Sequence, residues 1–245
     1  MSRAATAYGE RIAPHLVHEN PAYAELRRAE VTSIEPIAQP DERLVLAYDS
    51  CDPRCERVRA LRTELMLRGE DERADIIALL SPCAGEGRSL LAADLAIAFA
   101  QTGLPTLLVD ADLRRPQQHV LFSTDNRHGL ADAIESGQPP QVRRVLGVPY
   151  LSLLTAGDVP GDPLQLLSSR AFAALVEDWR QSFRFVLIDT APIGTFADGL
   201  AVANLVRRVL VLSRAQRTPY REMQLMLRRL AATHADILGA VISHF

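Results

Sequence analysis

Six stretches of this 245-residue chain are almost uninterrupted apolar runs: Ile76–Leu80, Thr106–Val109, Leu151–Leu154, Phe185–Ile188, Val209–Leu212 and Leu238–Ile242. A strand with one face in water alternates apolar and polar residues, whereas a strand covered on both faces does not. Between the runs, apolar residues return at helical spacing over Leu90–Gln101, Gly129–Ser136, Arg170–Gln181 and Pro219–His234. This alternation predicts an α/β fold: a doubly wound, mostly parallel sheet with helices on both faces. Upstream, a helix starts at Pro53 and ends near Arg68, closed by Gly69 and the charged link Glu70–Arg73. Residues 1–40 mix prolines, charges and short apolar pieces without a sustained period. They read as a partly disordered N-terminal extension with a short helix near Ala22–Ala29, and residues 41–245 as one domain.

The first apolar run leads into Ser81-Pro82-Cys83-Ala84-Gly85-Glu86-Gly87-Arg88-Ser89, and a helix follows from Leu90. Strand, glycine loop and helix are the context of a phosphate-binding loop, in which successive backbone N–H groups and a helix N-terminus face the same anion. Ala84, Gly85, Glu86, Gly87, Arg88, Ser89 and Leu90 are the expected nucleotide-contacting positions, and the Ser89 hydroxyl stands where it would ligate Mg²⁺. The pattern G-x-x-x-x-G-K-[ST] is broken twice, with Pro82 at its first glycine and Arg88 at its lysine.

Two further strand ends carry carboxylates, where parallel sheets place their ligands. Leu107–Val109 runs into Asp110-Ala111-Asp112-Leu113-Arg114-Arg115-Pro116, a pair able to share a hydrated Mg²⁺, with Arg114 in reach of a phosphate or a carboxylate. Phe185–Ile188 runs into Asp189-Thr190-Ala191-Pro192. One strand ending in Asp often only caps the next helix. Three strand-end motifs in order around a glycine loop point instead to a site, with Ser89, Asp110, Asp112 and Asp189 as its metal ligands.

Composition narrows the setting. All 27 basic residues are Arg, so a composition without Lys explains which cation stands at position 88. Guanidinium is nevertheless longer, planar and forked, and does not replace a compact ammonium atom for atom. A net charge of −3 gives no footprint for nucleic acid. No apolar run is long enough to span a bilayer; the longest, Leu90–Ala100, is interrupted by Asp94. No secretory leader is evident, and Cys51, Cys55 and Cys83 suit a reducing compartment, so the expected location is cytoplasmic. Cys51 and Cys55 have no spacing partners for a metal site.

The order Ser-x-x-x-Gly-Glu-Gly-[Lys]-Ser, Asp-x-Asp-x-Arg-x-Pro and Ile-Asp-Thr-x-Pro resembles the bacterial tyrosine kinases (BY-kinases), relatives of the MinD/ParA P-loop ATPases, over about Tyr48 to Ser243. The resemblance makes Gly85, Gly87, Arg88 and Ser89 the Walker A loop. Asp110 and Asp112 become the Walker A′ carboxylates, which with Arg88 form the catalytic set, and Asp189 becomes the Walker B Asp. Asp162–Leu167 and Asp198 also fall where the family has similar residues. Glu56-x-x-Arg59-x-x-Arg62 is similar to the family's E-x-x-R-x-x-R self-association motif, and the three charges fall within roughly 120° of a helix surface. Alone, such a stripe would be an ordinary solvated helix face; beside the strand-end motifs it implies a homo-oligomer or a docking surface. The family further implies ATP or ADP with Mg²⁺, no membrane span, and work in exopolysaccharide polymerisation and export. A membrane chain-length regulator, a polysaccharide co-polymerase, would recruit the chain to the inner face of the membrane.

Departures from the family's pattern set the expected activity. Besides Pro82 and Arg88, no tyrosine follows Tyr220, while Tyr8, Tyr23, Tyr48 and Tyr150 form no cluster, and Ser243 stands where the family has an Asn near the adenine. Nucleotide binding with weakened or lost catalysis is expected. An active ATP-dependent protein-tyrosine kinase of the same system and a MinD/ParA-type positioning ATPase are the alternatives; the loop lacks the extra signature Lys of the second.

Overall fold

The computed structural model describes residues 37–49, 51–69, 74–158 and 161–244. The expected extension therefore lies outside the described residues up to position 36, as does the helix expected near Ala22–Ala29. Ile37–Ala38 is already strand β1.

Eight strands form one sheet in the order β1-β4-β5-β3-β6-β2-β7-β8. Besides β1 they are β2 (Asp75–Leu80), β3 (Thr106–Ala111), β4 (Arg143–Val145), β5 (Leu151–Leu154), β6 (Phe185–Thr190), β7 (Arg208–Arg214) and β8 (Asp236–Ser243). Every pairing is parallel except β4 with β5. The mostly parallel, doubly wound sheet expected from the apolar runs is the architecture found. β2, β3 and β6 are buried along their whole lengths, which is why their sequences lack alternation.

Successive β2 residues feed opposite layers. Ile77 and Leu79 pack with Leu95, Ile97 and Phe99 of α2 (Arg88–Ala100), whereas Ile76, Ala78 and Leu80 pack with Phe172, Val176 and Trp179. Those three lie on α6 (Arg170–Ser182), beside α7 (Asp198–Val206) and α8 (Tyr220–Ala231). Helix α1 (Pro53–Leu67) starts where Asp52 accepts a hydrogen bond from Arg54 N at 2.7 Å and Pro53 fills the first turn. It lays Cys55, Val58, Leu61 and Leu65 on the α2 side of the sheet.

Three short helices have no clear period in the sequence: α3 (Gln118–Leu121), α5 (Pro163–Leu167) and α7. The first two span barely a turn, too few residues for a repeat to register. α4 (Leu130–Ser136) lies as expected. Strand β4 has no apolar run to announce it, because it begins with two arginines. Arg143 is fully buried all the same, donating to Thr155 Oγ1 (2.9 Å), Asp125 Oδ1 (3.0 Å) and Arg127 O (2.7 Å). Among the described residues no helix is long and apolar enough to cross a membrane.

Candidate functional site

The β2–α2 loop is built for an anion. Gly85 (φ 76°) and Gly87 (φ 88°) adopt left-handed backbone that side chains disfavour, and Gly87 caps the start of α2. An added Cβ at Gly85 would meet nothing within 4 Å, so the dihedral angle rather than space asks for glycine there. Among the described residues no hydrogen bond takes up the backbone N–H groups from Gly85 to Leu90. A row of free donors at a helix N-terminus suits phosphate oxygens.

The loop is braced from behind. Ser81 O and Pro82 O accept from Ile193 N (3.0 Å) and Gly194 N (2.9 Å), in the connection after β6. A Cβ on Gly194 would lie 2.4 Å from Pro82 O, so only glycine allows that approach. Glu86, expected among the nucleotide contacts, turns its carboxylate into the protein. It accepts from Cys83 N (3.0 Å) and the Thr218 hydroxyl, and its carbonyl accepts from Ser243 Oγ (3.1 Å).

The three strand-end carboxylates converge under this loop. Asp110 and Asp189 are register partners across β3 and β6, and both are fully buried. Arg88, the first residue of α2, places its guanidinium between Asp189 and Asp112. Its Nε donates to Asp189 Oδ1 (3.0 Å), its Nη1 to Ser81 Oγ (2.7 Å) and its Nη2 to Asp112 Oδ2 (3.0 Å). Gln118 donates from one amide to Asp189 Oδ2 (2.9 Å) and Ser89 O (3.0 Å), clamping α3 to the loop. Burial, reinforced by Asp189, raises the Asp110 carboxyl well above the usual range, against backbone donors at Gln118 and Gln117. Burial also lifts Asp112, to about 6, although the Arg88 charge pulls it down.

These residues fit the phosphates of a nucleotide better than a divalent cation. Each of the six oxygens of Asp110, Asp112 and Asp189 already accepts a hydrogen bond: from Asp112 N, Gln117 N and Gln118 N; from Arg115 N and Arg88; and from Arg88 and Gln118. Among the described residues no group of three or more His, Cys, Asp or Glu side chains is disposed to hold a metal ion. Beside Gly87 and Ser243 opens a cavity of about 390 Å³, lined also by Leu61, Leu90, Asp94 and Val241. Asp94 Oδ1 is buried there with no hydrogen-bond partner among the described residues, and burial raises its carboxyl to about 7.

The remaining expected residues divide. On α1, Glu56 and Arg59 pair with each other (2.6 Å) at the surface, while Arg62 turns inward to Ala98 O (3.2 Å). Arg114, expected within reach of a phosphate or a carboxylate, is on a carboxylate: it donates to Asp198 (2.5 Å) and stacks over Phe196, 4.3 Å from its ring centre. Gln118, Thr218 and Gly194 join the site without a signal in the sequence. No local pattern marks them, because each acts on a residue from another strand end.

No protein-family model matches the chain. It is 31% identical to the tyrosine-protein kinase YwqD of Bacillus subtilis, over 77% of this chain and 80% of the relative. Several longer relatives are spanned over less than a third of their length. Among solved structures, the chimerical protein CapA2B2 superposes with a TM-score of 0.78 at 30% identity, covering 87% of this chain and 94% of its own. The kinase domain of the Escherichia coli tyrosine kinase ETK gives 0.77 at 25% identity, covering 86% and 89%. The septum site-determining protein MinD of Pyrococcus horikoshii shares the fold, with a TM-score of 0.58 at 18% identity and coverage of 69% and 70%.

Proposed function

The chain belongs to the bacterial tyrosine-kinase family, and we propose that within it this protein is a nucleotide-binding member whose phosphoryl-transfer activity is weak or lost. The observation that carries this reading is the position of the Arg88 guanidinium, held below the loop by Asp189, Asp112 and Ser81. Phosphoryl transfer depends on positioning and on cations aimed at the charge that develops in the transition state. A cation spent on buried carboxylates is not aimed there.

Binding does not depend on that side chain. The N–H row from Gly85 to Leu90 and the α2 N-terminus would receive the phosphates of ADP or ATP, and the cavity beside Gly87 and Ser243 would take the base. A bound ATP would supply the transferable phosphoryl group. Family membership further supports a role in exopolysaccharide or capsule production, as a cytoplasmic partner recruited by a membrane chain-length regulator. Self-association through the exposed Glu56–Arg59 part of α1 belongs to the same reading.

Calorimetric titration with ADP and ATP, paired with steady-state hydrolysis and autophosphorylation, tests it. The expected result is saturable binding with turnover below about 0.01 s⁻¹, at least a hundredfold under ordinary kinase rates. Turnover in the ordinary kinase range overturns the catalytic half, and absence of binding overturns the whole.

A further inference from the structure

We propose that Arg88 is the resident counter-cation of this site, and that the chain binds nucleoside diphosphate or triphosphate without a divalent metal ion. The inference rests on the nucleotide-binding reading above and adds to it the ionic form of the ligand.

A P-loop site uses a divalent cation to neutralise two populations of charge at once, the strand-end carboxylates and the terminal phosphates. Here the first population is already served. The Arg88 guanidinium lies between Asp112 and Asp189 with N–O distances of 3.0 Å to each, and it is only 7% exposed. The oxygens that remain each accept a hydrogen bond, from Arg115 N, Gln118 Nε2 and the three backbone donors on Asp110. A metal ion bound by Asp112 or Asp189 would set its charge against the guanidinium that already holds both carboxylates by buried, charge-assisted contacts.

The second population is left to the loop, because Arg88 is spent on the first. Guanidinium carries five N–H bonds, of which three are committed to Asp189, Ser81 and Asp112. The phosphates meet the free backbone donors from Gly85 to Leu90 and the N-terminus of α2, so neither population needs an ion recruited from solution. An ammonium at position 88 would bring fewer donors and leave more carboxylate oxygens open to a metal.

The experiment is equilibrium dialysis of the full chain with ADP and Mn²⁺, counting both per chain, alongside calorimetry with ADP in excess Mg²⁺ and in EDTA. Expected are one nucleotide without stoichiometric Mn²⁺, and ADP affinities in the two solutions that agree within about threefold. In Arg88→Ala, which frees the carboxylate oxygens, ADP affinity in Mg²⁺ should exceed that in EDTA by about tenfold or more. Dialysis of the unaltered protein decides the matter even if that variant does not fold. One Mn²⁺ per bound nucleotide, or binding at least about tenfold weaker in EDTA, overturns the inference while leaving nucleotide binding intact. Absence of nucleotide in both solutions overturns the nucleotide-binding reading itself.

Discussion

The guanidinium of Arg88 and the carboxylate of Asp189 meet at 3.0 Å although 101 positions separate them in the chain. The contact ties the start of α2 to the end of β6, and both partners are buried. Removing one member of such a pair strands the other in a poorly solvated site, which costs more than the pair contributes net. Asp189→Ala should lower unfolding free energy by about 3 kcal/mol or more. Chemical denaturation measures this, and an unchanged midpoint would show that the pair carries no weight.

Asp94 gives a pH signature. Its carboxyl is raised to about 7 in the folded chain, chiefly by burial, with Arg54 opposing. An unfolded Asp titrates near 3.9. The folded state therefore keeps a proton that the unfolded state has released, and stability falls as pH rises from about 4 to 7. Asp94→Asn keeps the shape without the charge. It should be more stable than the parent above pH 7, by on the order of 1–3 kcal/mol, and no different near pH 4. Denaturation curves at four or five pH values test both ends, and a pH-independent difference refutes this assignment.

Gly194 holds the phosphate loop at its rear. Gly194→Ala forces a Cβ to within 2.4 Å of Pro82 O, which is backbone and cannot rotate away. A loss of about 1–3 kcal/mol in stability is expected, together with weaker ADP binding because the loop must shift. Retained affinity in a well-folded variant would separate this brace from the cradle.

On α1 the charges should separate by role. Charge reversal at Glu56 and Arg59, which are paired at the surface, should reduce assembly mass in light scattering while the melting temperature holds. Arg62→Ala should instead cost about 1 kcal/mol of stability, from the lost donor to Ala98 O, with little effect on mass. The opposite pattern would move the self-association surface to the inward side of the helix.

Much of this architecture is legible in the order of residues alone. Fully buried strands such as β2 and β6 have apolar runs that declare both covered faces. The loop and the three aspartates are legible because each motif is local and its strand supplies the context. What the residue order does not disclose is everything reached across the sheet. Gln118 sits in a four-residue helix and matters because its amide spans Asp189 and Ser89. Glu86 has the place of a ligand contact in the loop, yet its partner Thr218 arrives 132 positions later. Position 88 is a misfit by residue type alone; that the guanidinium turns into the carboxylates depends on a register between β3 and β6 that no local pattern encodes.

The strand order has a consequence for how the chain comes to be folded. β2 and β3 are consecutive in sequence but never touch as neighbours, because β6 lies between them. The glycine loop at the end of β2 and the aspartates at the end of β3 are made early, yet they cannot be brought to their final separation until residues 185–190 have been synthesised and inserted. Pairings of such long sequence separation form late and slowly. Throughout synthesis of the intervening segment, both halves of the site expose strand edges to the cell, so dependence on chaperones should concentrate in that interval.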